Sequence, residues 1–488
     1  MMYLNLEESR NHFQIEPQRQ TEISLMSRKE PDILKTPNEH RHRCTKYSYM
    51  NMCVINSRHH QLRISWTVLT MRSLNSVGVM KFRLIAFFIL AIIQRMSAFS
   101  LTKPSPYVLP TWAKDILSNI PLNGRLSLAN LPTPLYRLET KTETTVLQRI
   151  KELNISLYIK RDDMTGGCET GGNKIRKLEF LMADALASGH DAVVTIGGEQ
   201  SNHCRATAAA ARMVGLEPHL ILRTGRANAV QEKDAEFGMT GNLLFDRMVG
   251  STIYTCTPGE YGRVGSTEIV EGVCTHLTRK GKKPYGIPVG GSNWLGSWGY
   301  IQGVDEVLHQ WKDSDQSLDH VVFACGSGGT AAGIALGFGL APEQSPSVHA
   351  VAVCDDPDYF YNYVANIADD MGFQGDALAF IKGNMVVHQG KGLGYASSTP
   401  EELNFVTQFA VETGILLDPV YSGKALYHFV TNVLEQDPEA YRGNNVLFWH
   451  TGGALGLFDK GNDLFLNAVS PVKRLDFYKK NDDGMVSM

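Results

Sequence analysis

The sequence predicts an α/β protein with mainly parallel sheets. Three observations carry this. From about Pro104 onward, short apolar runs rich in β-branched residues alternate with stretches of helical period. Several of those runs end in glycine-rich turns that open the next helix, which is where ligands bind in open α/β sheets. The composition, 43% hydrophobic with 45 Gly in 488 residues, supports a large buried core and excludes a disordered or collagen-like chain. A formal charge of −3 argues against an electrostatic nucleic-acid binder. The eight Cys lie far apart, with no Cys-x-x-Cys pair and no His-Glu-x-x-His, so neither structural zinc nor a disulfide framework is expected.

The chain changes character near residue 80. Residues 1–79 hold 11 Lys and Arg against 7 Asp and Glu, and Gly78 is their single glycine. With no sustained amphipathic period, they read as a disordered leader, or as one wrongly assigned to the protein. Residues 80–104 then offer a basic start (Lys81, Arg83), ten apolar residues from Leu84 to Ile93, and Ser97-Ala98-Phe99. These are the parts of a signal-type targeting segment, and ten apolar residues are too few for a membrane span of about 20. Ser97-Ala98-Phe99 resembles the cleavage motif of bipartite plastid presequences. A plastid address beginning near Met80 is one expectation, a cytoplasmic protein the other, with no membrane anchor in the mature form.

In the body, strands are expected at 157–160, 192–196, 219–222, 252–254, 320–323, 348–353 and 445–449. The helices expected between them run over 174–187, 202–214, 267–279, 330–340, 401–412 and 423–434.

The junctions carry the chemistry. In Lys160-Arg-Asp-Asp-Met-Thr-Gly-Gly-Cys-Glu-Thr-Gly-Gly-Asn-Lys, a strand enters a glycine-rich turn that delivers Lys174 to a helix start. The turn narrowly misses a P-loop, because Asn173 stands where the lysine should be. A lysine there opposes the helix dipole at a cost of about 0.3 to 1 kcal/mol; read alone it is a solvated surface residue, or an amine held for Schiff-base chemistry. Gly197-Gly198-Glu-Gln-Ser201-Asn202-His203 places polar side chains at a second helix start, either as caps or as ligand contacts. Gly326-Ser327-Gly328-Gly329-Thr330 follows an apolar strand and forms an anion cradle of backbone N–H groups with two hydroxyls. It also fits G-x-G-x-x-G/A, so a dinucleotide site stays open, although two hydroxyls suit a terminal phosphate better. Leu417-Asp-Pro-Val-Tyr421-Ser422-Gly-Lys opens a further helix, and Trp449-His-Thr451-Gly-Gly ends a late strand in the same way.

Together, Gly171-Gly-Asn-Lys174, Gln200-Ser-Asn-His203, the 326–330 loop and Asp418-Pro-Val-Tyr-Ser-Gly-Lys424 resemble the pyridoxal-phosphate enzymes of the ACC deaminase and D-cysteine desulfhydrase family over about residues 105–460. The resemblance implies a tryptophan-synthase-β-like (fold type II) architecture with two α/β domains and pyridoxal 5′-phosphate between them. The smaller domain would occupy roughly 177–290 within the larger, leaving 461–488 as a C-terminal tail. It implies that Lys174 holds the cofactor and moves protons at the substrate Cα, that Gly326, Ser327, Gly328, Gly329 and Thr330 bind its phosphate, and that Asn202 bonds its 3′-oxygen. Ser201 would face the substrate carboxylate or assist proton transfer, and Tyr421 and Tyr395 would flank the reacting atoms. A small-molecule amino-acid substrate and a homodimer are implied as well.

Two positions separate the branches of that family. ACC deaminases carry Glu where Ser422 stands and Leu where Thr451 stands. Glu beside the pyridine nitrogen favours its protonated form and a strong electron sink, which a neutral hydroxyl does not supply. The resemblance therefore implies that Ser422 lies beside that nitrogen, that Thr451 flanks it, and that the reaction is β-elimination of D-cysteine to pyruvate, ammonia and hydrogen sulfide. ACC deaminase, a lyase for another β-substituted alanine, and a nucleotide-binding protein are the alternatives.

Overall fold

The structure is a computed structural model that describes residues 101–139, 145–227, 237–466, 476–480 and 486–487. The expectations for 1–79, and for the targeting segment as far as residue 100, lie outside the described residues, as does part of the 461–488 tail.

Twelve strands form among the described residues: β1 (Leu135–Arg137), β2 (Ser156–Arg161), β3 (Ala192–Gly198), β4 (Glu217–Arg223), β5 (Thr252–Cys256), β6 (Pro284–Ile287), β7 (His320–Cys325), β8 (Ser347–Ala352), β9 (Val386–Gln389), β10 (Asn445–His450), β11 (Asp476–Lys480) and β12 (Val486–Ser487). One sheet has the order β1-β2-β10-β7-β8-β9 and is parallel except for β1, which runs antiparallel to β2. A second, β5-β4-β3-β6, is wholly parallel and comes from one stretch of chain, 192–287. β11 and β12 pair only with each other.

Strand alternation explains how the larger sheet is buried on both faces. In β7, Val321, Phe323 and Cys325 join one core, while Val322 and Ala324 turn to another. β10 does the same with Leu447 and Trp449 on one side, Val446 and Phe448 on the other. Five helices set the site: α1 (Lys174–Ala187), α2 (Asn202–Val214), α3 (Trp294–Trp311), α4 (Gly329–Leu340) and α5 (Ser422–His428). α3 packs tightly between α1 and α4. A Cβ on Gly299 of α3 would lie 2.5 Å from Arg176 O, and one on Gly333 of α4 would lie 2.3 Å from Tyr300 Cβ.

The expected helices 174–187 and 202–214 form over those residues. Three features escape a periodicity reading. β6 and β9 are four residues each, too short to show a period. α3 presents Trp294, Leu295, Trp298, Tyr300 and Ile301 on a helix buried along most of its length, so it shows little amphipathic contrast. The helix expected over 423–434 loosens into a π-helical turn at Phe429–Val433.

At the end of β2 sits a fully buried carboxylate, Asp162. It accepts hydrogen bonds from Arg176 Nε (2.9 Å) and Nη2 (2.8 Å), Thr133 Oγ1 (2.9 Å), Tyr300 Oη (2.7 Å) and Trp449 Nε1 (2.8 Å). Arg176 also forks onto Glu306 at 3.0 and 2.9 Å, and Lys160 Nζ reaches the same carboxylate at 2.5 Å. Burial alone would raise the Asp162 pKa; the Arg176 guanidinium beside it, Lys160 and the Trp449 N–H together outweigh that and hold it at about 2 against an ordinary 3.8. Its stabilising effect is therefore complete above the ordinary value and disappears as pH falls toward 2. Asp162→Asn should lower the unfolding free energy by about 3 to 5 kcal/mol, because it leaves Arg176 short of one buried partner charge. Chemical denaturation at neutral pH measures this, and a loss below about 1 kcal/mol would show that the cluster is not structural.

Candidate active site

The parallel strands of both sheets point their C-terminal ends at a cavity of about 480 Å³. A larger groove of about 1290 Å³ lies at the opposite edge, by His320 at the start of β7 and Asn444 ahead of β10, away from the glycine-rich turns. In parallel sheets the C-terminal edge is where ligands bind, so the smaller cavity is the candidate. Lys174, Ser201, Asn202, Gly326, Ser327, Gly328, Thr330, Tyr395, Tyr421 and Thr451 all line it. Gly329 and Ser422 do not line it; both are buried and adjoin lining residues in the chain, Gly328 and Thr330 for the one and Tyr421 for the other.

Lys174 is placed by its neighbours. The turn before it closes on Thr165 Oγ1, which donates to Gly172 O and accepts from Gly172 N, both at 2.9 Å. Gly172 has φ +114°, and a Cβ there would lie 3.2 Å from Thr451 O, so the turn packs directly on the end of β10. Asn173 N donates to that same Thr451 O at 2.9 Å. The Asn173 side chain donates to Thr330 Oγ1 at 3.0 Å and accepts from Lys174 Nζ at 2.8 Å, linking the amine to the cradle. Burial lowers the Lys174 pKa to about 8, against the pull of Asp418, with Arg205 helping. An amine so shifted is neutral in an appreciable fraction near neutral pH, as a nucleophile toward a carbonyl must be. Lys177, one turn on, does not line the cavity; its Nζ donates to Gly290 O at 3.0 Å.

The cradle is built by close approach. Gly328 has φ +82°, and a Cβ there would meet Tyr363 Cδ1 at 2.6 Å. Gly329 N donates to Ser292 Oγ (3.1 Å), which donates in turn to Ser327 Oγ (2.9 Å). Ser292 was recoverable from the sequence, since Ile287-Pro-Val-Gly-Gly-Ser-Asn repeats the pattern of a strand, two glycines and Ser-Asn. The other helix start has the same polarity. Ser201 caps α2 by accepting from Cys204 N at 3.2 Å, leaving its O–H free to donate, and the buried Asn202 Oδ1 has no partner among the described residues. His203 bonds Thr195 Oγ1 at 2.9 Å, and burial, then the Lys174 and Lys177 charges, depress its pKa strongly, so it is neutral.

Opposite Lys174, the hydroxyls of Tyr421 and Tyr395 bond each other at 2.7 Å, and Lys174 Nζ lies 5.8 Å from the Tyr421 ring centre. Burial raises both phenol pKa values, that of Tyr421 strongly, so both keep their protons. Two residues the sequence reading left without a role hold this wall. The Asp418 carboxylate accepts from the N–H groups of Val420 (3.0 Å), Tyr421 (2.8 Å) and Ser422 (2.7 Å), and from Ser422 Oγ (2.6 Å), capping α5. Lys424 Nζ bonds both Glu402 oxygens (3.2 and 3.1 Å) and Lys391 O (3.0 Å), which ties α5 to the loop carrying Tyr395. Ser422 is fully buried with its hydroxyl turned onto Asp418.

An amine of lowered pKa, an anion cradle and an orphaned amide acceptor in one cavity suit an aldehyde that also carries a phosphate. Comparison with known proteins agrees. Residues 126–452 match the model of the pyridoxal-phosphate dependent enzymes. A bifunctional D-cysteine desulfhydrase/1-aminocyclopropane-1-carboxylate deaminase, mitochondrial, of Arabidopsis thaliana is 46% identical over 367 residues, covering 74% of this chain and 85% of that one. A D-cysteine desulfhydrase of Serratia proteamaculans is 35% identical over 338 residues, 68% of this chain and 95% of its own. Among solved structures, an ACC deaminase homologue superposes with a TM-score of 0.59 at 32% identity, covering 74% of this chain and all of that one. With its two α/β sheets facing one cleft, the chain has the fold-type II architecture and belongs to the pyridoxal-phosphate dependent enzymes, in the family of the ACC deaminases and D-cysteine desulfhydrases.

Proposed function

We propose that this protein is a D-cysteine desulfhydrase, converting D-cysteine and water into pyruvate, ammonia and hydrogen sulfide. The observation that carries this reading is the pair of neutral hydroxyl residues, Ser422 and Thr451, beside a cavity that holds Lys174 and the two tyrosines. Bound here, pyridoxal phosphate supplies an electron sink for the charge that develops at the substrate Cα. Lys174 holds the cofactor and moves the Cα proton. Gly326, Ser327, Gly328, Gly329 and Thr330 bind the phosphate at the α4 start, and Asn202 bonds the 3′-oxygen. Ser201 donates to the substrate carboxylate. The protonated Tyr395–Tyr421 pair stands ready to give a proton to the departing sulfur. Elimination of thiolate, a good leaving group, asks less of the sink than opening a cyclopropane ring. ACC deamination is the second reading, because the Arabidopsis relative is named for both activities. We further place the smaller domain over roughly 177–290, and infer a homodimer and import into an organelle; the Arabidopsis relative is named mitochondrial. No helix among the described residues is long and apolar enough to cross a membrane.

Cofactor attachment is tested in two ways. Borohydride reduction of cofactor-loaded protein should fix pyridoxal phosphate on the peptide holding Lys174. The apoprotein should take up the cofactor faster as pH rises, levelling above about 8. Labelling of Lys177 instead, or uptake still rising near the ordinary lysine value of 10.5, would contradict the assignment.

Ser422→Glu with Thr451→Leu should lower the ratio of D-cysteine breakdown to ACC deamination by about tenfold or more, equivalent to about 1.4 kcal/mol in barrier difference. Simple destabilisation lowers both activities together, so an unchanged ratio in a folded, cofactor-loaded variant removes the basis for preferring D-cysteine. A reporter fused to residues 80–105 should enter an organelle, and a diffuse cytosolic signal would reject import.

A further inference from the structure

Arg223 ends β4 and lines the cavity, yet none of the roles above uses it. It lies opposite Gly198 in the parallel register of β3 and β4, one strand away from the turn that leads to Ser201. Its guanidinium carbon is 4.7 Å from the Tyr261 ring centre and 5.7 Å from that of Tyr395. Among the described residues the guanidinium makes no hydrogen bond or ion pair, and of the two basic side chains, Lys174 and Arg223, that reach the lining, only Arg223 is charged at every working pH.

An arginine flanked by aromatic rings has its plane held while the N–H edges stay available, which is the form that grips a carboxylate with two parallel bonds. A half-buried cation whose donors find no protein partner carries an unmet requirement for an anion. The phosphate already has the 326–330 cradle. The amino acid brings a second anion, its carboxylate, and Ser201 supplies one neutral donor without a countercharge. Room exists between the two positions, since a Cβ built on Gly198 would find nothing nearer than Tyr395 Cε1 at 3.8 Å. From Arg223 contacts lead toward the reacting end through the Tyr395 ring, its 2.7 Å bond to Tyr421, and the Tyr421 ring 5.8 Å from Lys174 Nζ.

We infer that Arg223 binds the α-carboxylate of the substrate amino acid and so sets affinity for anionic amino acids at this site. The inference rests on reading the cavity as a D-amino-acid site. The competing role is structural, a latch of Arg223 on Tyr395 that joins the two sheets.

The test titrates the visible absorbance of the cofactor-loaded protein with D-alanine, which has no β leaving group, and with D-alaninamide, which lacks the carboxylate charge. Wild type should prefer D-alanine. Arg223→Gln should weaken D-alanine about 10- to 100-fold while changing D-alaninamide less than about threefold, and Arg223→Lys should recover part of the preference. Equal weakening of both ligands would make Arg223 a latch and overturn the inference, as would an unchanged preference for D-alanine in Arg223→Gln. A wild type that responds to L-alanine but not to D-alanine would instead overturn the D-amino-acid reading beneath it.

Discussion

The buried bond between Asp162 and Arg176 is the constraint from which the rest of the site follows. Asp162 directly follows β2, Arg176 lies two residues into α1, Tyr300 and Glu306 come from α3, and Trp449 from β10. One carboxylate therefore fixes where a strand stops, where the next helix starts and how the neighbouring strand is rotated. Desolvating these charges is expensive, and such clusters are rarely more stable than apolar packing of the same volume. What they add is direction. An apolar contact tolerates sliding, whereas five donors converging on one carboxylate allow one arrangement. Lys174 stands one residue before Ile175 and two before Arg176, so it inherits that precision.

The cavity itself is made mostly by what is missing. Gly172 against Thr451 and Gly328 against Tyr363 are positions where backbone meets backbone or ring with little or no space for a side chain, and Gly198 leaves its side of the cavity open toward Tyr395. Into this space point the starts of α2 and α4, whose free N–H groups favour negative charge. Lys174 at the start of α1 opposes the same field, and its burial depresses its pKa to about 8. The local arrangement is unfavourable for a charged lysine and favourable for a nucleophilic one, so stability and chemistry are opposed at that residue, while Arg176 two positions on is anchored by the Asp162 cluster.

Much of this was readable in the sequence because strand-to-helix junctions announce themselves through glycine pairs followed by Ser, Asn or Thr. Lys174, Ser201, Asn202 and the 326–330 loop lie in such turns, Thr451 just before a glycine pair and Tyr421 at a helix start with a single glycine, and the structure brings them around one cavity. What stayed hidden has a common cause. Asp162, Glu306 and Arg176 look like ordinary charged residues until 130 or more positions of chain fold back between Glu306 and the other two. Arg223 reads as the polar end of a strand, and only the tertiary approach of Tyr261 and Tyr395 gives it a setting. Ser422 sits in a legible motif, but its hydroxyl direction is decided by Asp418 four residues earlier, a contact that motif spacing does not state. Short strands such as β6 and β9 carry too few residues for a period to emerge.

Whether this geometry eliminates thiolate from a D-amino acid is answered most directly by product stoichiometry. Cofactor-loaded protein given D-cysteine as its sole substrate should release pyruvate, ammonia and hydrogen sulfide in equal amounts, with L-cysteine and ACC consumed far more slowly at the same concentration. Consumption of ACC with D-cysteine left intact would contradict the assignment of Ser422 and Thr451 as the residues that favour elimination over ring opening.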